Sequence, residues 1–268
     1  HETVLPQSGW IHDLVTALFS IDALRASITT VLTQDKKAHT PYLNNGARHA
    51  TRNWRNIKSK GGHHKAFLSN ETYSLTAPDG WKWFSPGWEN GQTSAPLKTF
   101  EHILEFCRDK KIELYVLISP VHARKQEVIW QFGLWDTYEQ WKRELTAILA
   151  ADAATHPGEK PFPLWDFSGY NSITIETIPP LGDTVTQMQW FWEGSHYKKK
   201  VGDLILNIIF NYRNEDHTIP DDFGVLLTPD NLDENLLSIK VSHTHYASEH
   251  AEDINEITRL IESTGEKL

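Results

Sequence analysis

The chain of 268 residues is 39% hydrophobic and 23% charged, a composition that folds and excludes a disordered polymer. Its 26 Lys and Arg against 35 Asp and Glu leave a net charge of −9, which excludes a general nucleic-acid binder, because phosphates call for a basic surface. The single cysteine, Cys107, excludes an internal disulfide.

No apolar run approaches the roughly 20 residues of a membrane span. No signal peptide is visible, and the chain opens "HETVLPQSGW" without an initiator methionine, so a processed or excised piece is expected. From Ile11 to Gln34, Leu14, Leu18, Ile21, Leu24, Ile28 and Val31 recur at steps of three and four. That spacing predicts an amphipathic helical segment, or two helices broken at "FSIDAL" with Ser20 capping the second. His39 to Ala95 is polar and full of turn signals, among them "NNG", "KGGHH", "APDG" and "SPGWENG". It reads as a long loop-rich stretch, of functional or mobile kind. Its "GGHH" lacks a carboxylate or cysteine at ligand spacing, so no metal is expected there. Trp81, Trp83 and Trp88 sit in this stretch, either as flat platforms for sugar rings or as anchors that pin the loop to the core.

Order returns with "PLKTFEHILEFCRDKK", a helix with Pro96 near its start, lysines at its end and Cys107 as a core thiol. Ile112 to Ile118 is a continuous apolar run, the pattern of a strand buried on both faces of a parallel sheet. A helix over Tyr138–Ala153 and a short strand over Phe162–Phe167 follow. From Tyr197 the stripe Val201, Leu204, Ile205, Ile208 and Ile209 predicts another helix, with lysines on its wet side. A last helix is expected over Glu249–Ser263. Alternation of helix and strand implies crossover connections and a parallel sheet, with ligands beyond the carboxyl ends of the strands. "SPVHAR", "DFSGYN" and "EGSH" then fall on one rim.

In "MQWFWEGSHYKKKVGD" a carboxylate, Glu193, stands three residues before a histidine, His196, at the entrance to a helix. Such an acid accepts from imidazole Nδ1–H, fixes the tautomer and leaves Nε2 as a general base. Alternatively, the residues form a cap with a surface histidine. Asp166, Ser168 and Asn171 either bind a hydroxyl-rich ligand or simply form a turn. His243 and His245 in "SHTHYASEH" alternate at strand spacing, a pattern of metal ligands and also of solvated edge strands.

The blocks "LISPVHARKQEVIWQFGLWDTYEQWKREL" and "LWDFSGYNSITIETIPP … MQWFWEGSHYKKKVGDLIL" resemble the C-terminal half of SGNH-hydrolase-like proteins of bacterial envelopes, of the DltD-like and polysaccharide O-acyltransferase-associated types. The resemblance covers about residues 97–211. It implies a single α/β domain over residues 1–268, a parallel-sheet, flavodoxin-like three-layer sandwich. The core would be 97–212, residues 35–96 a loop-rich insertion, and 213–268 a C-terminal extension. His196 matches the family's base; Glu193 stands where the family has aspartate. His122 and Arg124 fall where it places oxyanion or substrate contacts, and Trp192 joins Asp166, Ser168 and Asn171 as a substrate-contact candidate. No cofactor and no metal are implied. The resemblance implies a glycan or acylated small molecule as substrate, a membrane anchor upstream of residue 1, and the periplasmic or extracellular face of a bacterium.

The nucleophile is the departure. Ser8 in "PQSGW", Ser168 and Ser195 each lack the Gly-x-Ser turn after a first strand that the family requires. Either the nucleophile strand lies upstream of residue 1, or the protein is a serine-less relative. The two expectations are an acyl esterase or O-acyltransferase acting on an envelope or secreted glycan, and a non-catalytic glycan-binding or assembly module.

Overall fold

The computed structural model describes residues 14–16, 18–33, 49–76, 95–212 and 218–265. The chain divides into two compact units, His1–Asn53 and Trp54–Leu268. In the first, helix α1 spans Ile21–Thr33. Ser20 breaks it from the helical residues before it, and the Ser20 hydroxyl accepts the Ala23 N–H at 3.0 Å, as an N-cap does. The apolar stripe of this helix, Ile21, Leu24, Ile28 and Val31, is exposed.

Helix α2 spans Ala50–Ser59, and α3 covers His63–Thr76. Residues 50–76, expected within a loop-rich stretch, are therefore helical. The "KGG" signal marks only the tight turn between them. Phe67, Glu71 and Leu75 lie four residues apart on one buried face of α3, and His63 continues that face. A buried acid and a buried histidine inside the stripe hid its period. Gly62 has φ +91° and passes so close to the 183 carbonyl that a Cβ would lie 1.9 Å from the Asp183 oxygen.

Next come α4 over Ala95–Asp109 and strand β1 over Val116–Ile118. Helices α5, Ala123–Gln131, and α6, Trp135–Thr155, follow, and then β2 over Leu164–Asp166. A β3–β4 hairpin of Phe191–Glu193 and His196–Tyr197 precedes α7, Lys199–Ile209. Strand β5, Val225–Leu227, and helices α8, Leu232–Glu249, and α9, Ala251–Thr264, close the chain.

The sheet is small and mixed, in the order β1-β2-β5. β1 and β2 are parallel with Leu117 opposite Trp165, whereas β5 runs antiparallel to β2 with Leu226 opposite Trp165. The expected long strand shrinks to three residues, and it is not buried on both faces: Leu117 and Leu226 are exposed while Leu164 and Leu227 on the other face are buried. An apolar run signals a buried strand only where both faces are covered. Here α4, α6 and α8 close one face, where Leu97, Leu104, Leu149, Leu164, Leu227 and Leu236 pack together. A second cluster, built on Phe67, Phe167, Phe191, Val201 and Leu204, joins α3, the loop after β2, the hairpin and α7. That cluster fixes the hairpin to the rest of the unit. No helix among the described residues is long and apolar enough to cross a membrane.

Gly62→Ala forces both a positive φ and a steric overlap with backbone, which does not yield as a side chain would. The variant is expected to lose about 1–3 kcal/mol of stability, read as a lower urea midpoint.

Candidate functional site

The site grows from the β3–β4 hairpin. Glu193 and His196 are cross-strand partners, joined by the two-residue turn Gly194-Ser195. The motif was expected at a loop-to-helix entrance; it is a hairpin, and α7 begins only at Lys199. The strand-forming aromatics Phe191, Trp192 and Tyr197 account for the difference. The His196 Nδ1 is hydrogen-bonded to a Glu193 carboxylate oxygen, and the other oxygen accepts the Ser195 N–H at 3.2 Å. The acid is shielded, with 15% of its side chain exposed, while the ring is 78% exposed.

Glu176, His122, Asn70 and His63 hold this hairpin. The Glu176 carboxylate accepts the N–H groups of Gln189, Trp190 at 2.8 Å and Phe191 at 3.2 Å, so one acid holds the bend that leads into the strand carrying Glu193. The His122 N–H donates to the Gly194 carbonyl at 2.9 Å. The Ser195 hydroxyl donates to Asn70 Oδ1 on α3 at 3.2 Å. His63, on the same helix, donates from Nδ1 to the Trp192 carbonyl at 2.9 Å and accepts the Met188 N–H on Nε2 at 3.2 Å. Burial lowers the His63 pKa, and this donor–acceptor pattern belongs to the neutral ring.

The first turn of α5 lies beneath the hairpin. His122 is its N-cap: Nδ1 accepts the Arg124 N–H at 3.1 Å, and Nε2–H donates to the Glu176 carbonyl at 2.6 Å. Its ring lies edge-on between Phe67 and Phe191. Burial pushes its pKa down to about 3. Arg124 is wholly buried. Its guanidinium grips Glu71 at 2.8 and 3.0 Å, Asp253 at 2.8 Å and Glu256 at 2.7 Å. Burial alone would lower the Arg124 pKa, but these carboxylates hold it above its ordinary value. Lys125 donates to Ser74 Oγ at 2.5 Å and Asn70 Oδ1 at 3.3 Å. Burial pushes its pKa down to about 8, against the pull of Glu71 and Glu193.

The three rim segments meet. Phe167 N–H donates to the Ile118 carbonyl at 3.1 Å, Ala123 N–H to the Thr174 carbonyl at 2.8 Å, and His122 N–H to Gly194. The individual side chains divide, however. Asp166 and Ser168 form a buried knot with Lys142, whose Nζ lies 2.6 Å from the Asp166 carboxylate and 2.8 Å from Ser168 Oγ. The Ser168 hydroxyl donates to Asp166 at 2.7 Å. Burial opposes the Lys142 charge, but Asp166, with Tyr138 and Glu139, more than offsets it and raises the pKa. Asn171 Oδ1 accepts the N–H groups of Ile173 and Thr174, each at 3.1 Å, the pattern of a turn former. With His122 and Arg124 also buried, direct contact with a ligand is left to Glu193, Ser195, His196 and Trp192. Trp192 is half-buried, with the Lys198 ammonium 4.3 Å from its ring centroid.

Asn70, Lys125, Glu176 and His63 are the residues that sequence reasoning missed. Asn70 and Ser195 are 125 positions apart, and no local pattern reports such a contact. His243 and His245, read as strand neighbours, both lie in α8. Residues two apart on a helix point about 200° from each other, so they do not converge. His243 instead lies 3.2 Å from Glu127, and His64 binds Glu256 at 2.9 Å. Among the described residues no three His, Cys, Asp or Glu side chains gather as a metal site. The loop tryptophans Trp81, Trp83 and Trp88, and Ser8, lie outside the described residues. A cavity of about 460 Å³, lined by Cys107, Arg108, Ile112, Leu114 and Phe162, opens at the amino ends of β1 and β2, away from the hairpin. Compared with protein-family models, curated proteins and solved structures, the chain gives no match to any of the three.

Two predictions follow from the buried charges. Arg124→Met strands the Glu71 carboxylate and is expected to cost roughly 3–5 kcal/mol, while the double variant Arg124→Met/Glu71→Leu recovers most of it. Thermal unfolding of both variants reads the difference. His122→Asn keeps an N-cap acceptor and removes a titrating ring. Above about pH 6.5 the ring is neutral whether folded or not; between there and about pH 3 only the unfolded ring takes a proton. Wild-type stability therefore falls with falling pH across that window, by at most about 1.4 kcal/mol per unit from this group. In His122→Asn the urea midpoint should start lower but fall less steeply.

Proposed function

We propose that this chain carries the base and the orienting acid of an acyl-ester hydrolase or O-acyltransferase of SGNH-like type, acting on an acylated glycan. The observation that supports this reading is the Glu193–His196 hydrogen bond, with the acid shielded and the imidazole open to solvent. A proton on Nδ1 leaves the basic lone pair on Nε2. A serine hydroxyl that attacks an ester carbonyl would pass its proton to Nε2. Glu193 would stabilise the imidazolium so formed. The imidazolium then returns the proton to the departing sugar oxygen. Water or a second sugar hydroxyl takes the acyl group from the serine by the same steps in reverse.

The nucleophile in this reading comes from outside the described residues, because Ser195 donates to Asn70 and Ser168 to Asp166. The oxyanion donors are also elsewhere, since the His122 and Ala123 amides are already committed to carbonyls. The three-layer sandwich belongs to the same proposal and is supported by the parallel β1–β2 pair with helices between its strands. The glycan, the envelope location and an upstream anchor rest on the resemblance of the late sequence block. A second reading, a non-catalytic glycan-binding module, is favoured by those same commitments of Ser168 and Ser195.

Turnover of p-nitrophenyl acetate, measured in the longest native polypeptide that contains this chain, separates the two. His196→Ala is expected to lower kcat/KM by about 10²–10⁴-fold, and Glu193→Gln to lower it as well. Equal rates in wild type and His196→Ala would end the catalytic reading and leave the binding module.

A further inference from the structure

We propose that Lys125 is the positioning residue of the Glu193–His196 pair: it seats the hairpin through Asn70 and Gly194, and its buried charge sets the field in which His196 takes a proton. The inference deepens the acid–histidine reading and rests on it for the purpose of the pair, not for the geometry.

Lys125 stands in the first turn of α5, directly beneath the hairpin. A Cβ built on Gly194 would lie 3.3 Å from Lys125 Cβ and 3.7 Å from both Lys125 Cδ and Asn70 Oδ1. Glycine at 194 thus lets the turn rest on the lysine stem, and a methyl group there would press on Lys125 Cβ by a few tenths of an ångström. Asn70 Oδ1 is a shared acceptor, taking the Lys125 ammonium at 3.3 Å and the Ser195 hydroxyl at 3.2 Å. One amide oxygen therefore couples the lysine to the residue between Glu193 and His196.

The placement is electrostatically costly. A cation at a helix amino end opposes the helix dipole, and burial removes its hydration. Methionine would fill much the same volume without a buried charge. The charged groups around it are Glu71 on α3, Arg124 on its own helix and Glu193 on β3. Glu71, which Arg124 engages through both oxygens, pulls most on the Lys125 charge, and Glu193 is the carboxylate near it that the hairpin carries. Glu176 and Lys198 flank the hairpin from the preceding loop and from beyond β4, and His63 and His122 are kept neutral by burial. Lys125 touches no reacting atom in this account; it acts through the pair.

Long-range ¹H–¹⁵N NMR of the histidine rings, with His196 assigned by loss of its signal in His196→Gln, reads the effect without any turnover assay. Lys125→Met removes the positive charge, so the His196 titration midpoint is expected to rise by at least about 0.3 pH unit. Lys125→Arg should stay at the wild-type midpoint. A Met variant with the wild-type midpoint, or an Arg variant that moves as far as Met, overturns the field. Asn70→Ala leaves the charge and cuts the bridge. It should speed amide exchange at Ser195 several-fold, and unchanged exchange overturns the seating. Neither readout depends on ester hydrolysis, so a failed p-nitrophenyl acetate assay and a failed positioning claim are told apart.

Discussion

A guanidinium with no access to water holds three helices of the larger unit in register. Arg124 leaves α5 and meets Glu71 on α3 and both Asp253 and Glu256 on α9. Such a cluster is weak evidence for net stability, because desolvation offsets much of the attraction. Its consequence is geometric. Each carboxylate has one favourable place to be, so α3 and α9 cannot slide on α5 without stranding a charge. His122 and Lys125 flank Arg124 in the same helical turn, and both face the hairpin. The ion cluster therefore fixes the surface on which the candidate site is laid.

The site itself is made mostly of backbone. Glu176 collects three successive amides, the His122 amide meets the Gly194 carbonyl, and His63 reads the Trp192 carbonyl and the Met188 amide. None of these contacts depends on the identity of the side chains at the tip. A hairpin held in this way tolerates polar, exposed residues beside its turn, and His196 at the start of β4 is such a residue. The division of tasks explains how an imidazole can be 78% exposed and still be oriented: its partner Glu193 is the shielded member, and the strand beneath it is pinned at both ends.

Much of the helical frame was legible. Leu97, Leu104 and Cys107 marked α4, and Val201, Leu204 and Ile205 marked α7, because their stripes carry no polar residue. The Ser20 break was legible too, since a hydroxyl before an apolar repeat is a cap. Helix α3 was not. Its buried face contains His63 and Glu71, whose partners Trp192 and Arg124 lie 129 and 53 positions away, so a satisfied buried acid looked like a solvated one. The strands were overread for a related reason: an apolar run does not say how many faces are covered, and Leu117 faces outward. At the site, the meeting of "SPVHAR", "DFSGYN" and "EGSH" was readable from helix–strand alternation. Which of their polar side chains point inward was not, because turn-forming and ligand-binding residues are the same types.

Two buried lysines show how one charge serves two ends. Lys142 lies 2.6 Å from the Asp166 carboxylate and 2.8 Å from Ser168 Oγ, and Asp166, Tyr138 and Glu139 together outweigh burial and hold the lysine charged. That knot sets the end of β2 and its loop as a fixed floor. Lys125 donates to the neutral groups of Ser74 and Asn70, and burial there outweighs the pull of Glu71 and Glu193. Lys142 ties down the loop after β2, and Lys125 lies beneath the hairpin that carries His196, beside which an anionic intermediate would form in the acyl-transfer reading.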